Sequence, residues 1–480
     1  MDPEAAETPA PYASEFNAGD IAWILTCTAL VWLMIPGIGY FYSGMARSKN
    51  ALSLIMCCVL SLVVVTCQWF IWGFSLTFSK GASVFIGNLD NAFLRNVLGD
   101  PSIGSSSVPD LVFCIYQCMF AALTPALAIG SAAERGRLLP MIIFIFIWST
   151  IVYDPIACWT WNPNGWSAKL GALDFAGGTP VHISSGFASL AYALVLGRRQ
   201  GQGGTNQVNE FKPHNMSNVI LGTTFLWFGW FGFNGGSGLA GNLRACMAFV
   251  VTNLAAAVGA ITWMCIDYRV ERKFSALGFC SGAIAGLVAI TPAAGFVGPG
   301  PAVAIGFIGA VACNMAVYLK HWLKYDDALD VFALHGVGGY VGSILTGIFA
   351  ESYIAGLDGA TEIAGGWMNH HWVQIGYQFA DATAGAAWSF CITYLILFIM
   401  DHIPGLSLRV DPETEILGLD AAEIGEVAYY HVDKIVTVDP MTGAQQIVKE
   451  EVKEVHPQDY PQGAISDDQI GITSEKEHSH

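Results

Sequence analysis

Long apolar runs recur from residue 20 to residue 401, with short polar connections between them. A run of about 20 apolar residues crosses the hydrocarbon core of a bilayer as a helix, because only a helix pairs every backbone group within itself. Eleven such runs are predicted: 20–43, 51–79, 109–133, 138–158, 178–197, 216–234, 243–268, 274–292, 300–319, 328–350 and 373–401. The first follows a polar, acidic stretch with no basic leader, so it reads as a span rather than a cleaved signal. The pattern predicts an all-α membrane protein.

An odd number of spans places the two termini on opposite sides. Lys and Arg concentrate on cytoplasmic connections. One set of connections carries Arg47, Lys49, Arg135, Arg137, Arg198, Arg199, Lys212, Arg269, Arg272, Lys273, Lys320, Lys324 and Arg409; the other carries only Lys80, Arg95, Lys169 and Arg244. The first set is expected inside, so the N-terminus faces outward. This gives an extracellular tail at 1–19, a transmembrane domain at 20–401 and a cytoplasmic tail at 402–480. Residues 408–430 hold enough apolar side chains to dock; the remainder, to His480, is expected to be disordered.

Composition agrees. Hydrophobic residues make up 54% of the 480 and charged residues 12%, against about 25% charged in a soluble domain. The net charge of −17 belongs to the tails. Residues 1–20 hold five acids and no Lys or Arg, and 401–480 hold 17 acids against five bases, so the body between them is neutral. That balance speaks against nucleic acid as a partner. All 12 cysteines lie between Cys27 and Cys391 with no CxxC pair, which gives no disulfide or zinc framework. Glycine clusters such as Gly336-Val-Gly338-Gly339 and Gly229-Trp-Phe-Gly232 predict closely packed helices.

Of the eleven histidines, only His182 and His335 sit well inside apolar runs, and each follows an aspartate by eight residues: Asp174 and Asp327. Eight helical residues rise about 12 Å, which brings both histidines near the middle of a roughly 30 Å core. Span five enters from one side and span ten from the other. The halves 20–197 and 216–350 therefore read as an inverted repeat, with 373–401 added. A single intramembrane histidine is often only a packing residue. Two at one depth point to a transport or proton path, since two imidazoles share one N–H···N bond and keep nitrogens for a passing ligand. No third ligand stands beside them, so no metal or cofactor is expected. Asp174 also reads as a helix cap; Asp381 has no reading.

Three pieces converge at the outward end: Trp159-Thr-Trp161-Asn-Pro-Asn-Gly-Trp166, the stretch Phe233-Asn-Gly-Gly-Ser237, and Phe120 on span three. Tryptophan faces attract cations and a serine hydroxyl accepts a hydrogen bond. An interfacial aromatic belt explains the same residues equally well.

The stretches Asp174–His182, Trp227–Ser237, Asp326–Gly336 and Ala132-Ala-Glu-Arg135 closely resemble, in order, the signatures of the ammonium transporter (Amt/Mep/Rh) family, over about residues 20–430. The Trp161-Asn-Pro-Asn pattern and long tail look like its fungal permease branch. The resemblance implies a plasma-membrane homotrimer with a pore through each subunit, lipid around it, and ammonium or ammonia as substrate. It places the twin pore histidines at His182 and His335 and a gate at Phe120 and Phe233. Ammonium recruitment falls to Trp161 and Ser237, with the family's essential aspartate at Asp174. Tyr116 stands where bacterial relatives carry another aromatic. The stretch His402 to Glu426 resembles a tail that docks under the neighbouring subunit, and fungal relatives are regulated by a kinase acting on the tail; here Ser466 and Ser474 are the weak candidates. The rival readings are an Rh-like ammonia or carbon dioxide channel and an ammonium receptor signalling through the tail. A membrane enzyme lacks a nucleophile–base or metal constellation.

Overall fold

The computed structural model describes residues 16–200, 211–429, 432–438 and 445–452. Its body is helical. The long segments are α1 (Ala18–Met45), α2 (Ser48–Phe78), α3 (Asp110–Ala132), α4 (138–161), α5 (Gly178–Leu196), α6 (Met216–Gly235), α7 (Leu243–Glu271), α8 (Ala276–Ile290), α9 (Pro299–Leu323), α10 (Phe332–Phe349) and α11 (Gln374–Asp401). Side chains that satisfy the first free amides fix several starts: Asn17, Asn215, Asn242 and Ser275 cap α1, α6, α7 and α8.

Among the described residues, nine helices are long and apolar enough to cross a membrane. The predicted spans at 216–234 and 274–292 are not among them: α6 is rich in Gly, Asn and Thr, and α8 is apolar but short. The chain is a multi-pass membrane protein. Eight cysteines are buried, whereas Cys67, Cys246, Cys265 and Cys391 lie on the exposed sides of their helices.

The first helices of the two predicted repeats pack against each other. A Cβ on Gly222 of α6 would overlap the backbone of Phe41 on α1, so these two helices touch main chain to main chain. Helix α3 is almost wholly buried and forms the centre of the bundle.

The tail docks on its own chain. Asp420 accepts the amides of Leu52 and Ser53 at the start of α2, and Glu423 accepts that of Leu138. Arg409 donates to the carbonyls of Leu196 and Arg198 beyond α5, and binds Glu415 at 2.7 Å. Tyr429 accepts from the side-chain amides of Asn215 and Asn218. All of these contacts are made within one chain. Beyond it, β1 (Val432–Val438) pairs antiparallel with β2 (Gln445–Val452), with an irregularity between Ile435 and Val436. This hairpin lies beyond the helical body. Ser466 and Ser474 lie outside the described residues.

Candidate functional site

Two wide turns carry the histidines. Asp174 accepts the amides of Gly177 and Gly178 on Oδ1 at 2.8 and 2.7 Å, and that of Thr179 on Oδ2 at 2.7 Å. These are the first free amides of α5, which opens with a π-turn over Gly178–Ile183 that holds His182. In α10, Asp327 Oδ2 accepts the Phe332 amide at 2.8 Å, and a π-turn over Phe332–Val337 holds His335. The two helices cross where a Cβ on Gly186 would overlap the backbone of Gly336.

That crossing brings the rings together. His182 Nδ1 and His335 Nδ1 are 3.1 Å apart, so one ring donates and the other accepts. Both are buried, and His182 Nε2 has no partner among the described residues. His182 lies nearly parallel to Trp230, with centroids 5.3 Å apart, and to Phe233 at 5.9 Å. Trp230 is itself fixed by a hydrogen bond from Nε1 to Thr291 Oγ1.

Directly beyond Phe233, Phe120 closes the passage, its ring centroid 4.3 Å away. Phe120 meets Trp161 edge-on at 5.7 Å. On the far side of this gate is an open vestibule of about 110 Å³ lined by Gln117, Phe120, Trp161, Phe175 and Ser237, among others. Ser237 Oγ donates to the Phe233 carbonyl at 2.8 Å, which leaves its lone pairs for a ligand. Tyr116 donates into the same turn, at 2.9 Å from the carbonyls of Gly232 and Phe233. On the other side of the histidines lies a narrow apolar cavity of about 20 Å³, bounded by side chains such as Ile38, Leu123, Leu226, Val331 and His335.

His182, His335, Phe120, Phe233, Trp161 and Ser237 fall on this one axis. Asp174 does so indirectly. Both of its carboxylate oxygens are occupied by amides, and Trp161 Nε1 donates to its carbonyl at 3.3 Å. It holds the wall of the vestibule and the start of the His182 turn. Asp381, unread in the sequence, accepts the hydroxyls of Ser167 and Thr179 and so ties α11 to the same turn.

The face opposite the vestibule carries a buried ion network. Glu134 binds Arg47 at 2.8 Å and Arg199 at 3.4 Å, and Arg199 forks onto both oxygens of Asp326. Burial alone would raise the Asp326 carboxyl, but the Arg199 guanidinium holds it well below the usual carboxylate range. Sequence reasoning counted these arginines as loop charges and did not pair them. It also missed Trp230, Phe175 and Arg244, whose partners are distant in the chain. The only sequence signal for them is a charge or an aromatic next to a recognised motif.

A helical membrane bundle with a paired-histidine passage behind an aromatic gate defines a transporter class. The Ammonium Transporter Family matches residues 22–429, and the chain belongs to that family. It is similar to Ammonium transporter 1 of Schizosaccharomyces pombe, 58% identical over 89% of this chain and 85% of the relative. It is also similar to Ammonium transporter MEP2 of Saccharomyces cerevisiae, 51% identical over 87% of this chain and 84% of the relative. The crystal structure of Candida albicans Mep2 superposes with a TM-score of 0.81 at 51% identity, covering 92% of this chain and 96% of that one.

Proposed function

We propose that this chain is an ammonium transporter that strips ammonium of a proton before its central passage and conducts ammonia past the histidine pair. The observation that carries this reading is the 3.1 Å His182–His335 contact, enclosed between the Phe120–Phe233 gate and an apolar cavity. Moving a bare cation into such surroundings costs several kcal/mol even after relaxation, whereas a small neutral amine crosses far more cheaply.

In this reading, ammonium settles against the face of Trp161 and donates to Ser237. Its proton leaves at the gate, ammonia passes, and the two imidazoles relay the proton along their shared bond. Net transport is then electrogenic. Potassium carries no proton to give up and is rejected. The vestibule faces outward and the docked tail inward, across eleven spans related as two inverted five-helix repeats and a final helix. The protein works as a homotrimer in the plasma membrane, with lipid around it and a kinase acting on its tail.

The test is uptake and current in a bilayer with ammonium and potassium gradients. The relay fails if His182→Ala and His335→Ala carry ammonium at the wild-type rate while potassium stays excluded. Ammonia uptake without current would favour the Rh-like reading.

One observation favours an added sensing role. Arg409 and Glu415 of the tail are bonded just beyond α5, and Arg199 there clamps Asp326, next to the cap of the His335 turn. Deleting residues 431–480 tests it. Full uptake with lost signalling supports a dual role, and a chain that never takes up ammonium would be a receptor only.

A further inference from the structure

Arg244, the second residue of α7, is a cation buried beside the vestibule. It is only 6% exposed. Its guanidinium carbon lies 4.9 Å from the centroid of Phe175 and 5.0 Å from that of Phe296. Nε donates to the Gly295 carbonyl at 2.9 Å, and Nη1 donates to Asp358 Oδ2 at 3.0 Å and Thr361 Oγ1 at 2.9 Å. A Cβ on Gly295 would overlap the Phe175 ring. Phe175 is thus held from behind while it lines the vestibule together with Trp161 and Ser237.

Asp358 is prepared for this role. Its Oδ1 accepts the amides of Ala360 and Thr361 at 2.8 and 2.7 Å, and its Oδ2 accepts the Thr361 hydroxyl. Burial pushes the carboxyl up, but the Thr361 hydroxyl, the two amides and Arg244 outweigh it and hold it at about 2. The ion pair is therefore intact wherever transport is measurable.

We propose that Asp358 is a specificity-determining residue of the vestibule: by neutralising Arg244 behind Phe175, it lets a small cation be recruited where an unpaired guanidinium would repel it. Arg244 positions the Phe175 wall, and Asp358 cancels the charge that comes with this. The inference rests on the reading that the vestibule takes up ammonium as a cation. A cation touching Phe175 lies roughly 9 Å from the guanidinium. Uncovering that charge weakens binding by about 2-fold at an effective dielectric of about 80, and by about 20-fold at about 20.

The experiment measures ammonium uptake by the full-length chain in proteoliposomes, at low and high salt, with half-saturation and maximal rate taken separately. Asp358→Asn is expected to raise half-saturation by about 2- to 20-fold, with maximal rate little changed and the effect shrinking in salt. The double variant Arg244→Gln/Asp358→Asn returns half-saturation toward wild type, and Arg244→Gln alone lowers it. A double variant as impaired as Asp358→Asn, or an Asp358→Asn with wild-type half-saturation, overturns the proposal. If Asp358→Asn does not fold, the direction of the Arg244→Gln shift decides: a rise or no change sinks it. Trp161→Leu separates the two layers. If it leaves half-saturation unmoved, the cation reading of the vestibule fails; if it raises it while the Asp358 series is flat, only the present inference fails.

Discussion

In the first repeat, Asp174 gives both oxygens to three amides at the start of the His182 turn. In the second, Asp327 gives one oxygen to one amide, and its Oδ1 has no partner among the described residues. The Asp-to-His spacing and the turn type are alike, and the degree of closure differs. The surroundings differ in the same sense. Aromatic rings and a neutral ion pair frame the Asp174 end, while a charged network and the docked tail frame the Asp327 end. One end has both carboxylate oxygens engaged, and the other keeps one oxygen without a partner among the described residues, beside the docked tail.

Asp174→Ala tests that contrast most severely. It strips three amides of a charged acceptor, each bond being worth about 1.5–3 kcal/mol, and should abolish uptake and lower the thermal midpoint in detergent. Asp327→Ala removes one such bond and should leave measurable uptake. Equal losses would break the comparison. Gly186→Ala sits between the halves. The added methyl must push the backbone of Gly336 away, at about 1–3 kcal/mol, and should cut flux in both directions alike. If only one direction suffers, the halves are not coupled through this contact.

Smaller effects belong to the tail side. Tyr429→Phe removes the acceptor for two asparagine amides and should cost about 1 kcal/mol or less, seen as faster proteolysis of the tail with uptake kept. Acidification gives the smallest change. Asp326 is held below its ordinary value of about 3.9, so its pairing with Arg199 is fully present above that value and is lost only as pH falls through the lowered one. Tail protection should therefore be flat between about pH 5 and 8. A titration there would point to some other group.

Nine of the predicted spans and the histidine pair were legible in the sequence because each is a local signal. An apolar run announces a crossing, and His182 and His335 each stand eight residues after an aspartate in oppositely directed runs. Trp161, Phe120, Phe233 and Ser237 were legible through their motifs. Asp174 was legible as a helix cap, and its carboxylate accepts three amides at the start of α5. What stayed hidden depends on partners far apart in the chain: Trp230 against His182, Arg199 against Asp326, Arg244 against Asp358. The tail's contacts with α2, α5 and α6 and the hairpin after it were hidden as well, since charge counts do not show which surface an acidic segment meets.

The bare crossing of Gly186 over Gly336 bears on how such a filter diversifies. Because polypeptide rests on polypeptide there, the separation of the imidazoles is a property of the skeleton and is largely independent of the surrounding lining. Residues along the walls are then free to drift, altering throughput or discrimination, while the central rings keep their spacing.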